Sequence, residues 1–170
     1  MFQPLASTTL TSEEMSGIQR LLLISLLLIL VAGFAAYRAR LRNDPGLTVK
    51  EFLGLNANYL LTERGRMIIL VGMIGGIIFG IIDNAGLWFG LSALEPLFIK
   101  KLGVAPGSNE MAAFGNLFSD GLGAFLGTFA GVIMSEYTGI ELDESPIWVD
   151  AIGVIIGCYI GILIGRMSSK

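Results

Sequence analysis

Four long apolar segments restrict the fold of this chain more than any other feature. Each is about as long as a helix that crosses a bilayer, which needs about 20 apolar residues. None shows the short alternating pattern of a barrel strand. We therefore predict an all-α, multi-pass membrane protein with four transmembrane helices. The segments are Leu21–Tyr37, Met67–Leu94, Met111–Met134 and Ile147–Ile164.

The composition agrees with this class and excludes several functions. The chain is 54% hydrophobic and 15% charged, with a mean hydropathy of +0.74. A net charge of −3 argues against a nucleic-acid partner. Histidine is absent, so imidazole metal sites and histidine-based catalysis are excluded. We expect no enzyme, no catalytic residues and no cofactor; any metal would be a hard cation on oxygen ligands. The single cysteine, Cys158, is interpreted as a small buried side chain.

The apolar segments divide the chain into four regions. Residues 1–17 form a polar N-terminal segment, and residues 18–38 form the first transmembrane helix. Residues 39–66 form a basic loop that includes a short amphipathic helix lying in the membrane interface. A helix that covers one end of the bundle fits this loop pattern equally well. Residues 67–170 form a three-helix, glycine-rich transmembrane unit.

The distribution of Lys and Arg predicts the orientation. Six of these residues lie between Arg38 and Arg66, which predicts a cytoplasmic loop and both termini outside. Two features oppose this orientation. The connector 135–146 would face the cytoplasm without any Lys or Arg, whereas Lys100 and Lys101 would lie outside.

Glycine recurs every four residues in each of the last three segments. Residues four apart lie on one helix face, so each helix has a face of very small side chains. Such faces let helix backbones approach closely in lipid, within one chain or between copies in a homo-oligomer. A glycine-lined conduit is the alternative interpretation. The predicted packing glycines are Gly72, Gly76, Gly80, Gly115, Gly123, Gly127, Gly131, Gly153, Gly157, Gly161 and Gly165.

The phrase Asp-x-x-Gly-x-x-x-Gly occurs three times in these segments. On a helix the acid lies on the same face as its two glycines, so it should point into a seam between helices. A carboxylate in hydrocarbon is costly, which makes such acids candidates for function. The copies begin at Asp83, Asp120 and Asp150.

Two of these acids should lie at the same depth. Asp83 is roughly 12 Å, and Asp120 roughly 13–14 Å, from the same side at about 1.5 Å per residue. Asn84, Asn116 and Ser119 lie beside them. The sequence therefore predicts that these five residues bind a proton or a cation. The alternative is that the acids and amides only hydrogen-bond across helices. Asp150 lies near the opposite surface, where it would only be the N-terminal charge of its helix.

The run Gly115–Phe129, with Ile81–Asn84 upstream, resembles segments of small multi-spanning membrane proteins from large DNA viruses of algae and protists. The likeness covers about residues 75–131. It implies a viral membrane protein, in a virion membrane, and brings no known activity or site.

Two functions follow as expectations. The first is a small cation- or proton-handling channel or transporter subunit. The second is a structural or assembly membrane protein without transport activity. In both, the lipid bilayer is the main partner.

Overall fold

The computed structural model describes residues 12–55 and 58–168, and every regular element among them is helical. Four helices are long and apolar enough to cross a membrane, as predicted. They are α1, α4, α5 and α6. The α-helices are α1 (Ser12–Asn43), α2 (Val49–Phe52), α3 (Asn58–Leu61), α4 (Glu63–Leu97), α5 (Asn109–Thr138) and α6 (Val149–Ser168), with a π-helical turn at Phe98–Leu102 and a 3-10 turn at Leu142–Glu144.

The chain divides into two compact units at Val49. The first unit consists of α1 and the turn that follows it. Of the predicted polar segment 1–17, residues 1–11 lie outside the described residues, and the remainder from Ser12 already belongs to α1. The helix extends past its apolar run to Asn43 and includes Arg40 and Arg42 in its last turn. The hydroxyl of Tyr37 donates a hydrogen bond to the carbonyl of Leu47 at 3.0 Å, which ties the turn to the helix.

The second unit is organised around α4, which packs along both α5 and α6. Thr62 and Ser108 cap the N-termini of α4 and α5, since their hydroxyl groups accept hydrogen bonds from the backbone N–H groups of Gly65 and Met111. α4 runs through Pro96 into the π-helical turn, so the helical backbone extends beyond the predicted apolar segment Met67–Leu94 as far as Leu102. Apolar packing supports this extension.

The cluster at this end of the unit consists of Phe98, Val104 and Met111, all buried. It joins the end of α4 to the start of α5. A second buried cluster, Ile68, Val71 and Ile140, joins the start of α4 to the end of α5 at the opposite end. α4 and α5 are therefore antiparallel neighbours held at both ends by apolar contacts.

The sequence predicts one amphipathic helix in the basic loop, and the structure differs from this prediction. It contains two helices of four residues each, α2 and α3. From Lys50 onward the loop packs against the connector between α5 and α6. The indole N–H of Trp148 donates to the carbonyl of Leu53 at 2.9 Å, and the hydroxyl of Tyr59 donates to the carbonyl of Glu144 at 3.3 Å. The alternative, a segment that covers one end of the bundle, describes this part of the chain better.

The side chain of Glu144 links the connector to the start of α4. It accepts hydrogen bonds from the backbone N–H of Glu141 at 3.1 Å and from the guanidinium group of Arg64 at 2.9 Å. These two donors lower the pKa of Glu144. Because Arg64 is largely exposed and Glu144 is partly exposed, the ion pair contributes little to stability.

We expect Glu144→Gln to lower the thermal unfolding midpoint slightly at neutral pH. A carboxyl whose pKa is lowered by folding stabilises the protein above its unfolded-state pKa. This contribution disappears as the pH falls through the folded-state value. The difference between the variant and the native protein should therefore vanish on acidification. Thermal unfolding in detergent between neutral and acidic pH measures this, with the exposed Glu136→Gln as control. A midpoint difference that persists at acidic pH would contradict the assignment.

Candidate carboxyl site

The site begins with one hydrogen bond between α4 and α5. The hydroxyl of Ser119 donates to Oδ1 of Asp83 at 2.8 Å. Ser119 is 0% exposed, and it is the one polar residue among the fully buried side chains of the described chain. On α5, Ser119 takes the place of a glycine in the four-residue spacing, between the buried residues Gly115 and Gly123. A small side chain at this step lets its hydroxyl reach the neighbouring helix directly.

Asp120 brings the second carboxyl group to the same place. It directly follows Ser119, the donor to Asp83, so the two carboxyl groups lie close together. Asn116, one turn away on α5, donates from Nδ2 to Oδ2 of Asp120 at 2.6 Å. Asp83 and Asp120 are both partly buried, whereas Asn116 is exposed. The pair thus lies in the seam between α4 and α5, with Asn116 at its rim.

Asn84 completes the set of five residues. Its Nδ2 atom donates to Oδ2 of Asp83 at 3.3 Å and to the carbonyl of Gly80 at 3.4 Å. Every one of the five residues predicted from the sequence is therefore hydrogen-bonded within one cluster on α4 and α5. Their role in binding a proton or a cation stays a prediction.

The sequence analysis missed the contribution of α6. A Cβ atom added at Gly161 of α6 would lie 2.9 Å from Cβ of Asn84, and one added at Gly80 would lie 2.5 Å from the backbone nitrogen of Cys158. This makes the cluster a meeting point of three helices. A signal was present in the sequence: Cys158 follows Gly157, and Asn84 continues the four-residue spacing of Gly72, Gly76 and Gly80.

The site has no basic residue to balance its charge. No Lys or Arg occurs between Arg66 and Lys100, or between Lys101 and Arg166. The hydrogen-bond donors around the pair are neutral hydroxyl and amide groups. Two carboxyl groups in contact do not both stay ionised without a proton or a cation between them. The arrangement can therefore hold one such charge.

The ligand set suits a proton better than a multivalent metal. Within residues 12–55 and 58–168, no group of three or more His, Cys, Asp or Glu side chains could hold a metal ion. A divalent cation typically takes six or more oxygen ligands. A proton needs only the two carboxyl oxygens that already face each other.

Asp150 does not join this pair. It is exposed in the first turn of α6, in agreement with its interpretation as an N-terminal helix charge.

The predicted packing glycines are all buried, in α4 as well as in α5 and α6. The two tryptophans have different contacts. The indole N–H of Trp148 donates to the carbonyl of Leu53 in the basic loop, whereas the ring of Trp88 lies against Gly165 of α6.

Comparison with protein-family models, with curated proteins and with solved structures gives no match to this chain. The four apolar helices are consistent with an integral, multi-pass membrane protein. The function must accordingly be argued from the geometry of the site.

A double-mutant cycle measures the hydrogen bond between Ser119 and Asp83. We expect Ser119→Ala and Asp83→Ala, each of which removes one partner of the bond, to show a coupling energy of about 1–3 kcal/mol in the free energy of unfolding, because the bond is buried. Unfolding in mixed detergent micelles provides the measurement.

The control cycle pairs Asp83→Ala with Ser135→Ala. Ser135 lies on the same helix but bonds the carbonyl of Ile140 instead. Its coupling with Asp83 should be near zero, because distant sites act independently. Equal coupling in the two cycles would show that Ser119 and Asp83 do not interact specifically.

Proposed function

We propose that this chain is a membrane protein that carries protons, or small cations, through the carboxyl pair Asp83 and Asp120. The observation that carries the proposal is that these two acids lie in one hydrogen-bonded cluster between two apolar helices, with no Lys or Arg in those segments to balance them. A structural hydrogen bond between helices needs only one acceptor and one donor. A second acid adds a charge that the chain itself does not balance.

The surroundings of the pair support a site that gains and loses charge. Ser119 and Asn84 hold Asp83 from two directions, and Asn116 holds Asp120. Neutral donors stabilise a carboxylate without fixing it permanently as an ion pair. Acids inside membrane segments commonly mark pathways for protons and ions. A shared proton that is released to one side and replaced from the other would give transport.

We propose further that glycine faces hold α4, α5 and α6 together. A Cβ atom added at Gly157 would collide with the carbonyl oxygen of Ile77, and one at Gly153 with that of Met73. A Cβ at Gly127 would lie 2.6 Å from the carbonyl oxygen of Gly75. Such distances leave room for hydrogen only, which supports backbone contact as the cohesive interaction.

These contacts lie within one chain. They account for the glycine faces without a second copy, so a homo-oligomer is a proposal that needs separate evidence. The predicted likeness to viral membrane proteins is likewise a proposal about origin and does not affect the chemistry of the pair.

Gly157→Ala tests the packing proposal. We expect it to lower the free energy of unfolding by about 1–3 kcal/mol, because the added methyl group forces α4 and α6 apart. The matched control is Gly121→Ala on α5, where an added Cβ meets no atom within 4 Å. That change should be neutral or slightly stabilising, since alanine favours helix over glycine. Similar effects of the two changes would refute close backbone contact at Gly157.

Proton flux into liposomes tests the transport proposal. We expect the native protein to dissipate a pH gradient. Asp83→Asn and Asp120→Asn should each reduce the flux to that of protein-free liposomes, because an amide cannot carry the transported proton. Asp143→Asn, an exposed connector acid, should retain native flux. Repeating the assay with Na⁺ and K⁺ gradients distinguishes a proton from a monovalent cation.

The second candidate is a structural or assembly membrane protein. The close backbone contacts between α4 and α6 favour it, because they produce a rigid unit whether or not anything is transported. This function predicts that the native protein and both variants fold and show no flux for any of the three ions. Size-exclusion chromatography of each variant confirms that loss of flux is not loss of folding.

A further inference from the structure

A cavity of about 380 Å³ lies between α5 and α6, above the glycine-rich part of α4. We call it the connector cavity because the connector residue Ser145 lies on its wall. Gly72 and Gly76 belong to its lining, and Thr128 and Asp150 add a hydroxyl and a carboxylate. At about 30 Å³ for each water molecule, its volume corresponds to roughly ten waters. These polar side chains provide partners that an empty apolar cavity lacks.

The connector cavity is aligned with the carboxyl site. On each of the three helices, one lining residue lies one helical turn away from the site. These residues are Phe79 on α4, Ala124 on α5 and Val154 on α6. Four residues further toward the site on the same helices lie Asp83, Asp120 and Cys158. Four residues of α-helix correspond to about 6 Å. The cavity therefore ends about one helical turn from the carboxyl pair.

Phe79 occupies the interval between the cavity and the site. A Cβ atom at Gly127, in the cavity wall, would lie 3.2 Å from Cβ of Phe79. A Cβ atom at Gly123 would lie 3.2 Å from Cδ2 of the Phe79 ring. Gly123 is three residues from Asp120, on the same face of α5. The aromatic ring thus lies along α5 between the cavity and the acid.

We infer that the connector cavity is a water-filled route by which protons or monovalent cations reach Asp83 and Asp120. This inference rests on the proposed function. Asp150 at the cavity wall is the first acceptor, which attracts cations and gives the third copy of the repeat a role. Phe79 is the barrier that ions or a proton-conducting water chain must pass. The route connects the carboxyl pair with the side of the membrane where the connector lies.

The rate of thiol labelling measures water access independently of transport. Cysteines are introduced at two cavity positions, Thr128→Cys and Val154→Cys, in the otherwise native chain, and the labelling of Cys158 alone is measured in the unmodified chain and subtracted. Each has a matched control at the next residue, Phe129→Cys and Ile155→Cys, whose native side chains are 57% and 68% exposed on the apolar surface. A charged methanethiosulfonate reagent, present on both sides of the liposome membrane, reacts with the thiolate, which forms readily only in water. Proton flux is measured in the same liposomes before and after labelling.

The two cavity cysteines should react on the order of tenfold or more faster than their neighbours, because thiolate formation in hydrocarbon is strongly disfavoured. Labelling at Thr128→Cys should also reduce the proton flux to the level of protein-free liposomes, because the attached group fills the route. Equal labelling rates would overturn the route and leave the proposed function intact. Fast labelling with unchanged flux would also overturn it. Absence of proton and cation flux in the native chain would overturn both the route and the proposed function.

Discussion

The buried hydrogen bond from Ser119 on α5 to Asp83 on α4 sets how closely these two helices must approach each other. A charged carboxylate in the middle of a membrane helix costs about 2.5–3.5 kcal/mol or more, so an acid there needs partners. Each of the two acids has a hydrogen-bond donor, and the donor to Asp83 from the neighbouring helix is the fully buried Ser119. That donor can reach its partner only because α4 and α5 lie very close together. The small side chain of Ser119 therefore serves the polar site.

The overall architecture was predictable because it depends on local properties of the sequence. Long apolar runs separated by turns define four helices without any tertiary information, and all four are present. The similar depth of Asp83 and Asp120 in the membrane could also be predicted from the sequence. Two antiparallel helices joined by a short loop place residues at equal distances from that loop at the same height. The cap of α5 by Ser108 is also a local feature, since the hydroxyl bonds a backbone N–H only three residues away.

Features that depend on tertiary contacts could not be predicted from the sequence in the same way. The extension of α4 past Pro96 is stabilised by the cluster around Phe98, which forms only when α5 is in position. The basic loop folds as two short helices against the connector, through bonds such as that of Trp148 with Leu53. α6 contacts Asn84 because of its rotation relative to α4, and the spacing of glycines alone fixes no such rotation.

The three copies of the Asp-x-x-Gly-x-x-x-Gly motif have different surroundings despite their identical spacing. In the first two, the acids meet each other in a seam between antiparallel helices. In the third, the acid lies in the first turn of α6 and at the wall of the connector cavity. The same local pattern thus provides an acid beside a close helix contact in each case. Its position along the helix decides whether that acid is enclosed or hydrated.

Solid-state NMR of the protein in lipid bilayers, with ¹³C-labelled aspartate side chains, tests the contact between the two acids most directly. A cross peak between the carboxyl carbons of Asp83 and Asp120 is expected, and it should disappear in Asp83→Asn when only aspartate is labelled. A native spectrum in which both carboxyl signals are assigned but no such cross peak occurs would contradict the meeting of the two acids. The transport proposal would then lose its basis.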